Sequence, residues 1–490
     1  MAERTLLRAV LEQRGWVSWP VFEMQFSDAA RRVAERTAAA PMSISQATFK
    51  RWLSGERDPR SLAGVVLEEM LGVETELLFR PAPSHDVVLP RPLGLSSRAA
   101  ALALDARWGN SLLWPSSPAA GVDGSWRMDG LGLFDGTTVA VQAYEASALP
   151  GDLVGIGPDD VAHLRTFVRP LRRGLVLAAL SGAGLYALDA AHVRRYLAVD
   201  RPEDVLPIPA AYRLDDLTYG LIWALTNLDD GLSADDAALR RAAADLDGAA
   251  DRPLSAVARA ALPGLSGVGA AWLGSRCCAR HAVRWLPDEI GTWALWNREC
   301  RGEEAASWLF FRHQHALLRQ AAHRASDGVA AFCVPAAAVK GSPGFERLLL
   351  FLAVAWAECA GVPALVCTEP EYAQIDGFLL VPGRRAVVTN WLRVPDVCQV
   401  DVTDRKAQLR AYTDAVEHAR AHTVATGPTP GRRLRALADY LQLDWSWLVR
   451  RARELSEYGL VDMLHARSRL LTLSQADSVL AFLGKLDSDV

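Results

Sequence analysis

Within Ser45–Gly55, SQATFKRWLSG, the side chains equipped for chemistry are Gln46, Lys50 and Arg51: an amide, an ammonium and a guanidinium at helical spacing. Groups of this kind match the donor and acceptor patterns of base edges and the charge of phosphates. Ser45 suits a helix start and Ser54-Gly55 a helix stop. Between them, Phe49, Trp52 and Leu53 stand at i, i+3 and i+4 and so share one buried face, which turns Gln46, Lys50 and Arg51 away from the core. The spacing predicts a short helix over Ser45–Leu53 that presents Gln46 toward adenine and Lys50 or Arg51 toward guanine. Ser45 and Thr48 at its start, and Arg57 and Arg60 beyond its end, are expected to sit on phosphates of double-stranded DNA.

Other constellations carry less. EPEYAQIDGF (Glu369–Phe378) places Glu369, Glu371 and Tyr372 in a loop between strands, a position where α/β units commonly bind ligands. LTNLDDGLSADD (Leu225–Asp236) is acid-rich, but a helix end followed by a newly capped helix accounts for it. The chain contains neither G-x-x-x-x-G-K-[ST] nor G-x-S-x-G. Gly130, Gly132 and Gly136 are out of register for a dinucleotide fingerprint. Cys277, Cys278 and His281 lack the second pair of ligands that structural zinc requires, and read as a buried pair beside a hydrogen-bonded histidine. Glu303, Glu304, His313 and His315 fall on one long predicted helix at a spacing unlike H-E-x-x-H. No metal, cofactor or catalytic chemistry is expected.

The Ser45 helix needs neighbours to hold it. Leu6–Gln13 and Asp28–Glu35, the latter capped by Ser27, read as two amphipathic helices, and Leu62–Leu71 as a later one stopped by Gly72. The T-x-x-R-W-x-S-G core, here Thr48, Arg51, Trp52, Ser54 and Gly55, is followed by a helix ending in VLEEMLGV. It resembles the Cro/CI-type helix-turn-helix of the XRE regulators, and its divergent form at the head of large regulators of high-GC bacteria. The resemblance covers about the first 80 residues and implies that Ser45–Leu53 lies in the major groove. The connection Thr37–Ile44 is longer than the usual turn of that motif. Eleven basic and eleven acidic residues balance across these 80 positions, so any affinity must come from local placement and from a homodimer on a two-fold site.

At 490 residues the chain exceeds one core and predicts three or four domains. Half of it is hydrophobic, and the net charge of -4 excludes a general nucleic-acid coat. Seven cysteines, mostly in apolar runs, suggest a reducing cytoplasm. The start, MAERTLLRAV, does not read as a secretion signal, and no uncharged run is long enough to span a membrane.

Pro81–Pro92 begins a proline-rich linker over 81–94 that parts a 1–80 helix-turn-helix domain from a mostly helical body, 95–326. That body includes a β-hairpin, Leu131–Phe134 with Thr137–Tyr144, around Asp135-Gly136. Helical stretches are predicted at Asp159–Arg172, Asp189–Ala198, Asp215–Leu228, Ala234–Leu246 and Glu303–Arg324. A small α/β unit follows at 327–404: strand Val329–Val334, helix Gly344–Cys359, strand Pro363–Cys367, and a hairpin around Pro382-Gly383. Beyond helix Lys406–His422, the remainder of 405–490 contains a helix on Leu434, Leu437 and Leu441, a helix Trp445–Tyr458 capped by Asp444, and the basic arm HARSRLLTL. This order resembles the winged helix of MarR-like repressors. The resemblance implies phosphate contacts from Arg450, Arg451 and Arg453 on the second helix and from Arg467 and Arg469 on the wing. A terminal helical domain used for dimerisation fits the same residues.

The fold class expected is therefore mainly α and multidomain. The expected function is sequence-specific DNA binding in transcriptional regulation, with a sensing or oligomerising body that meets a small-molecule effector or a protein partner. The alternative is a small-molecule-binding protein or enzyme with an autoregulatory helix-turn-helix.

Overall fold

A computed structural model describes residues 16–37, 42–56, 61–71, 75–79, 107–108, 111–115, 123–168, 173–198, 205–262, 264–285, 291–324 and 327–486, with the single positions 5, 7, 8, 11, 40 and 59. The expected linker at 81–94 and the stop at Gly72 lie outside them, and the expected Leu6–Gln13 helix does so in large part.

Near the N-terminus, α1 (Trp19–Thr37), α2 (Gln46–Leu53), α3 (Ser61–Leu71) and α4 (Thr75–Leu78) enclose a small core of their own. Phe22, Phe26, Ala29, Ala30 and Val33 form one apolar stripe along α1 and pack with Phe49 and Trp52 of α2 and with Val66 and Leu67 of α3. Because that stripe starts before Asp28, the helix begins already at Trp19, and Ser27 is interior to it rather than its cap.

The body carries far more sheet than its sequence suggested. Its first sheet contains β1 (Ser111–Pro115), β2 (Asp123–Met128), β3 (Thr137–Leu149), β4 (Leu153–Ile156), β5 (Gly174–Leu180), β6 (Gly184–Asp189) and β7 (Leu206–Pro209), with α5 (Pro158–Phe167) and α6 (Ala190–Ala198) alongside. The long β3 pairs β2 along its first half, β4 along its second, and β5 in parallel on its other edge. Leu131–Phe134 is not a strand: the hairpin partner of β3 is β2, with Met128 opposite Thr137, and 129–136 is the connection. β5, GLVLAAL, is buried at all but its last position. An unbroken apolar run of this kind has no period by which to tell strand from helix.

From this sheet the chain enters α7 (Asp216–Asp247), one helix where two were expected, buried on every side from Leu217 to Asp229. α8 (Gly267–Trp285) packs against it. A second sheet runs in the order β11-β10-β9-β12-β13-β14-β8. Its strands are β8 (Leu254–Val257), β9 (Thr292–Asn297), β10 (Asp327–Cys333), β11 (Ala364–Cys367), β12 (Phe378–Val381), β13 (Arg385–Asn390) and β14 (Cys398–Thr403). β9, β10 and β11 are parallel and the others antiparallel, and the expected hairpin around Pro382-Gly383 is β12–β13.

Between β9 and β10 stand α9 (Gly302–Phe310) and α10 (Arg312–Arg324), separated at Phe311, where the backbone is extended and one helix had been expected. α11 (Gly344–Cys359) links β10 to β11, and α12 (Lys406–His422) packs its Leu409, Val416 and Ala419 with Trp296 and Phe378 of the sheet. α13 (Pro430–Tyr440), α14 (Trp445–Tyr458) and α15 (Ser474–Gly484) complete the chain.

The second sheet takes strands from both sides of residue 326, and one hydrophobic core runs from Trp108 to Leu483. The boundaries expected at 326 and 404 therefore do not part separate cores. The molecule is a mixed α and β protein. Among the described residues no helix is long and apolar enough to cross a membrane.

Candidate functional site

Two regions gather the residues singled out by sequence. In the first, Ser45 caps α2, its hydroxyl accepting from Thr48 N at 3.3 Å and lying 3.1 Å from Thr48 Oγ1. At the other end Ser54 N donates to Lys50 O, and Gly55 turns the chain away with φ +70. Phe49 and Trp52 are buried, Phe49 stacked on Phe22 at 4.1 Å and Trp52 beside Phe26. Ser45, Gln46, Lys50 and Arg51 are exposed on the opposite side, with Thr48 half-buried at the edge. No ion pair ties Lys50 or Arg51 among the described residues, which leaves an amide, an ammonium and a guanidinium open to solvent on one short helix. Arg57 and Arg60 lie outside the described residues.

The second region is the C-terminal segment, where the winged-helix expectation meets a different arrangement. Residues 464–473 form no strand pair among the described residues, only a single bridge from Leu471 to Phe311. The arm is laid along the body instead. Asp229, fully buried on α7, accepts from Arg173 Nη2, from the backbone N of Arg467 and Ser468, and from Arg467 Nε at 3.1 Å. Burial opposes ionisation of Asp229, but Arg173, Ser468 N and Arg467 together hold its carboxyl below the usual range.

Arg451 is not exposed as expected. Its Nε donates to Asp215 Oδ2 at 2.6 Å, Nη1 to Glu454, and Nη2 to the carbonyl of Ala211 at 3.0 Å, so each of its three nitrogens is engaged within the fold and its charge is met by two carboxylates. Arg453 Nε donates to Gly484 O at 2.8 Å. Arg450 and Arg469 are exposed.

Arg450 and Arg451 instead border a cleft of about 820 Å³ between α14, the start of α11, Tyr186 of β6 and the β3–β4 turn. α14 supplies Trp447 and, at i+3, i+4, i+7 and i+10 from it, the charged side chains of Arg450, Arg451, Glu454 and Glu457. That spacing was legible as one face of a helix. Its facing walls, including Asp152, Arg213 and Arg347, are distant in sequence and gave no signal.

The Glu369 loop is drawn together differently again. Glu369 Oε2 lies 3.5 Å from His418 Nε2, and Tyr372 stacks on His418 at 4.0 Å, which stacks in turn on His422. Burial opposes it, but the backbone N–H groups of Glu369 and Thr368, and His418, hold the Glu369 carboxyl below its usual range. Glu369 and Tyr372 are thus engaged with α12, and Glu371 is exposed.

Two further expectations resolve as packing. His281 Nδ1 lies 2.8 Å from the carbonyl of Cys277 within an apolar cluster that includes Cys278 and Cys398, and all seven cysteines are free thiols. Glu303, 2% exposed, accepts from Leu131 N, Leu133 N and Phe134 N at 2.8, 2.7 and 2.9 Å. It closes the β2–β3 connection and is remote in role from His313, whose Nε2 faces Ser275 Oγ at 2.6 Å.

The chain matches no protein-family model, no curated protein and no solved structure.

Proposed function

We propose that this protein is a sequence-specific DNA-binding regulator of transcription in the cytoplasm, with the N-terminal helical unit as reader and the two-sheet body as sensor. One observation carries the reading. α2 buries Phe49 and Trp52 and holds Gln46, Lys50 and Arg51 clear of any intramolecular ion pair on the opposite face. Long polar side chains left unspent on a helix with a locked apolar back are suited to a major groove, where Arg or Lys pairs with guanine and Gln with adenine. Ser45 and Thr48 at the helix start would lie against the backbone phosphates.

A helix of eight residues reads only a few base pairs, so the reading requires a homodimer on a two-fold site. No step of catalysis belongs to it. The test is a genome-wide footprint of the purified chain beside its Arg51→Ala variant. Discrete protected sites with two-fold symmetry, lost in the variant, support the reading. Unprotected DNA, or protection indifferent to sequence and to Arg51, would overturn it.

A further inference from the structure

The cleft beside α14 is not accounted for by DNA binding. Its walls place five guanidiniums, of Arg107, Arg213, Arg347, Arg450 and Arg451, against six carboxylates, of Asp152, Asp215, Asp216, Asp444, Glu454 and Glu457. A site for phosphate or another polyanion has cations in excess. This one does not.

Several of these charges are already spent. Arg451 is held by Asp215 and Glu454, Arg107 by Asp216, and the Asp444 carboxylate caps α14 by accepting from Trp447 N. What remains is of both signs. Arg213 and Arg450 are exposed and have no ion pair among the described residues; Arg347 gives Nη1 to Leu441 O and to Gln442 while its Nε is buried without a partner. Asp152 and Glu457 are exposed and likewise unpaired among the described residues. Half-buried Trp447 adds an apolar wall.

Two of the walls are fixed by their own backbone: Gln442, φ +57, ends α13 in a left-handed cap with Leu443 N bonded to Ala438 O at 2.9 Å, and Asp152, φ +55, stands in the tight turn that joins the paired Leu149 and Leu153.

We infer that this cleft binds a zwitterionic ligand of the short-peptide class, its carboxylate on Arg213 and Arg450 and its ammonium on Asp152 or Glu457. The volume of about 820 Å³ falls in the upper part of the range for small-molecule sites, roughly 300–1,000 Å³, and suits a few residues better than one. Paired free charges of opposite sign select the free termini, and Trp447 accepts a side chain of any apolar kind.

The test is equilibrium dialysis of the full chain against a random-sequence tripeptide library with free termini, read by mass spectrometry. The same library with acetylated and amidated termini, and ATP as a polyanion, are run beside it. A subset of free-terminus peptides should be retained, the blocked library should not, and an Arg213→Ala/Arg450→Ala variant with unchanged melting temperature should lose retention by about tenfold or more. No retained peptide, equal retention of the blocked library, preference for ATP, or indifference to the double substitution would each overturn the assignment. Because the readout is binding of peptide alone, it stands or falls separately from the DNA-binding reading.

Discussion

Arg467 and Asp229 lie 238 residues apart in the chain and 3.1 Å apart in the fold, where Arg467 Nε donates to Asp229 Oδ2. The same carboxylate takes two backbone N–H groups of the 464–473 arm and the buried Arg173. This buried acid is one anchor of the segment, beside Leu464, Leu471 and Leu473, whose side chains are buried in the main core. Asp229→Asn should destabilise the body by about 3 kcal/mol, because buried Arg173 loses its close ion pair and keeps only the carboxylate of Asp189 at 3.9 Å. Arg467→Ala removes a side chain that is itself one-third exposed and leaves Asp229 its bonds from Arg173 and Ser468 N, so it should cost no more than about 1 kcal/mol. Urea unfolding of the two variants checks this; equal losses would contradict it.

The two faces of α2 should respond oppositely. Arg51→Ala should weaken specific DNA binding by about 1 to 3 kcal/mol with unchanged thermal stability. Trp52→Ala, which removes a large buried ring, should destabilise the N-terminal unit by about 3 to 5 kcal/mol. Mobility shifts paired with calorimetry separate the effects, and a stable Trp52→Ala protein would mean that the ring does not hold this core together.

Adjacent arginines on α14 should differ as sharply. Arg451→Ala removes the partner of buried Asp215 and should cost about 3 to 5 kcal/mol of stability, whereas Arg450→Ala should stay within about 0.5 kcal/mol. Thermal melts decide. Comparable melting temperatures for the two variants would show that the Arg451 network contributes little.

Burial, with Glu304 nearby, pushes the Glu299 carboxyl up to about 7 despite its hydrogen bond from Trp308 Nε1 at 3.0 Å. Between the usual carboxylate range and pH 7 the folded protein holds a proton that the unfolded chain releases. Stability should therefore fall as pH rises through that window, by up to about 3 kcal/mol. Glu299→Gln should remove this slope and be the more stable protein at pH 8. Melting curves of parent and variant that stay parallel from pH 4.5 to 8 would refute it.

What the amino-acid sequence determined by itself is local. The cap at Ser45, the opposed faces of α2, the cap at Asp444, and the bounds of Lys406–His422 and Trp445–Tyr458 follow from short-range hydrogen bonding and helical period. The tertiary structure alone decided which charges are spent. Period places Arg450 and Arg451 side by side on one helix, yet only the fold brings Asp215, 236 residues away, under Arg451 and leaves Arg450 open. For the same reason Glu303 could not be read as the clasp of a loop 169 to 172 residues upstream, nor the apolar β5 run as strand rather than helix. A side chain's direction is set by its own backbone, but its partner is set by packing across the whole chain.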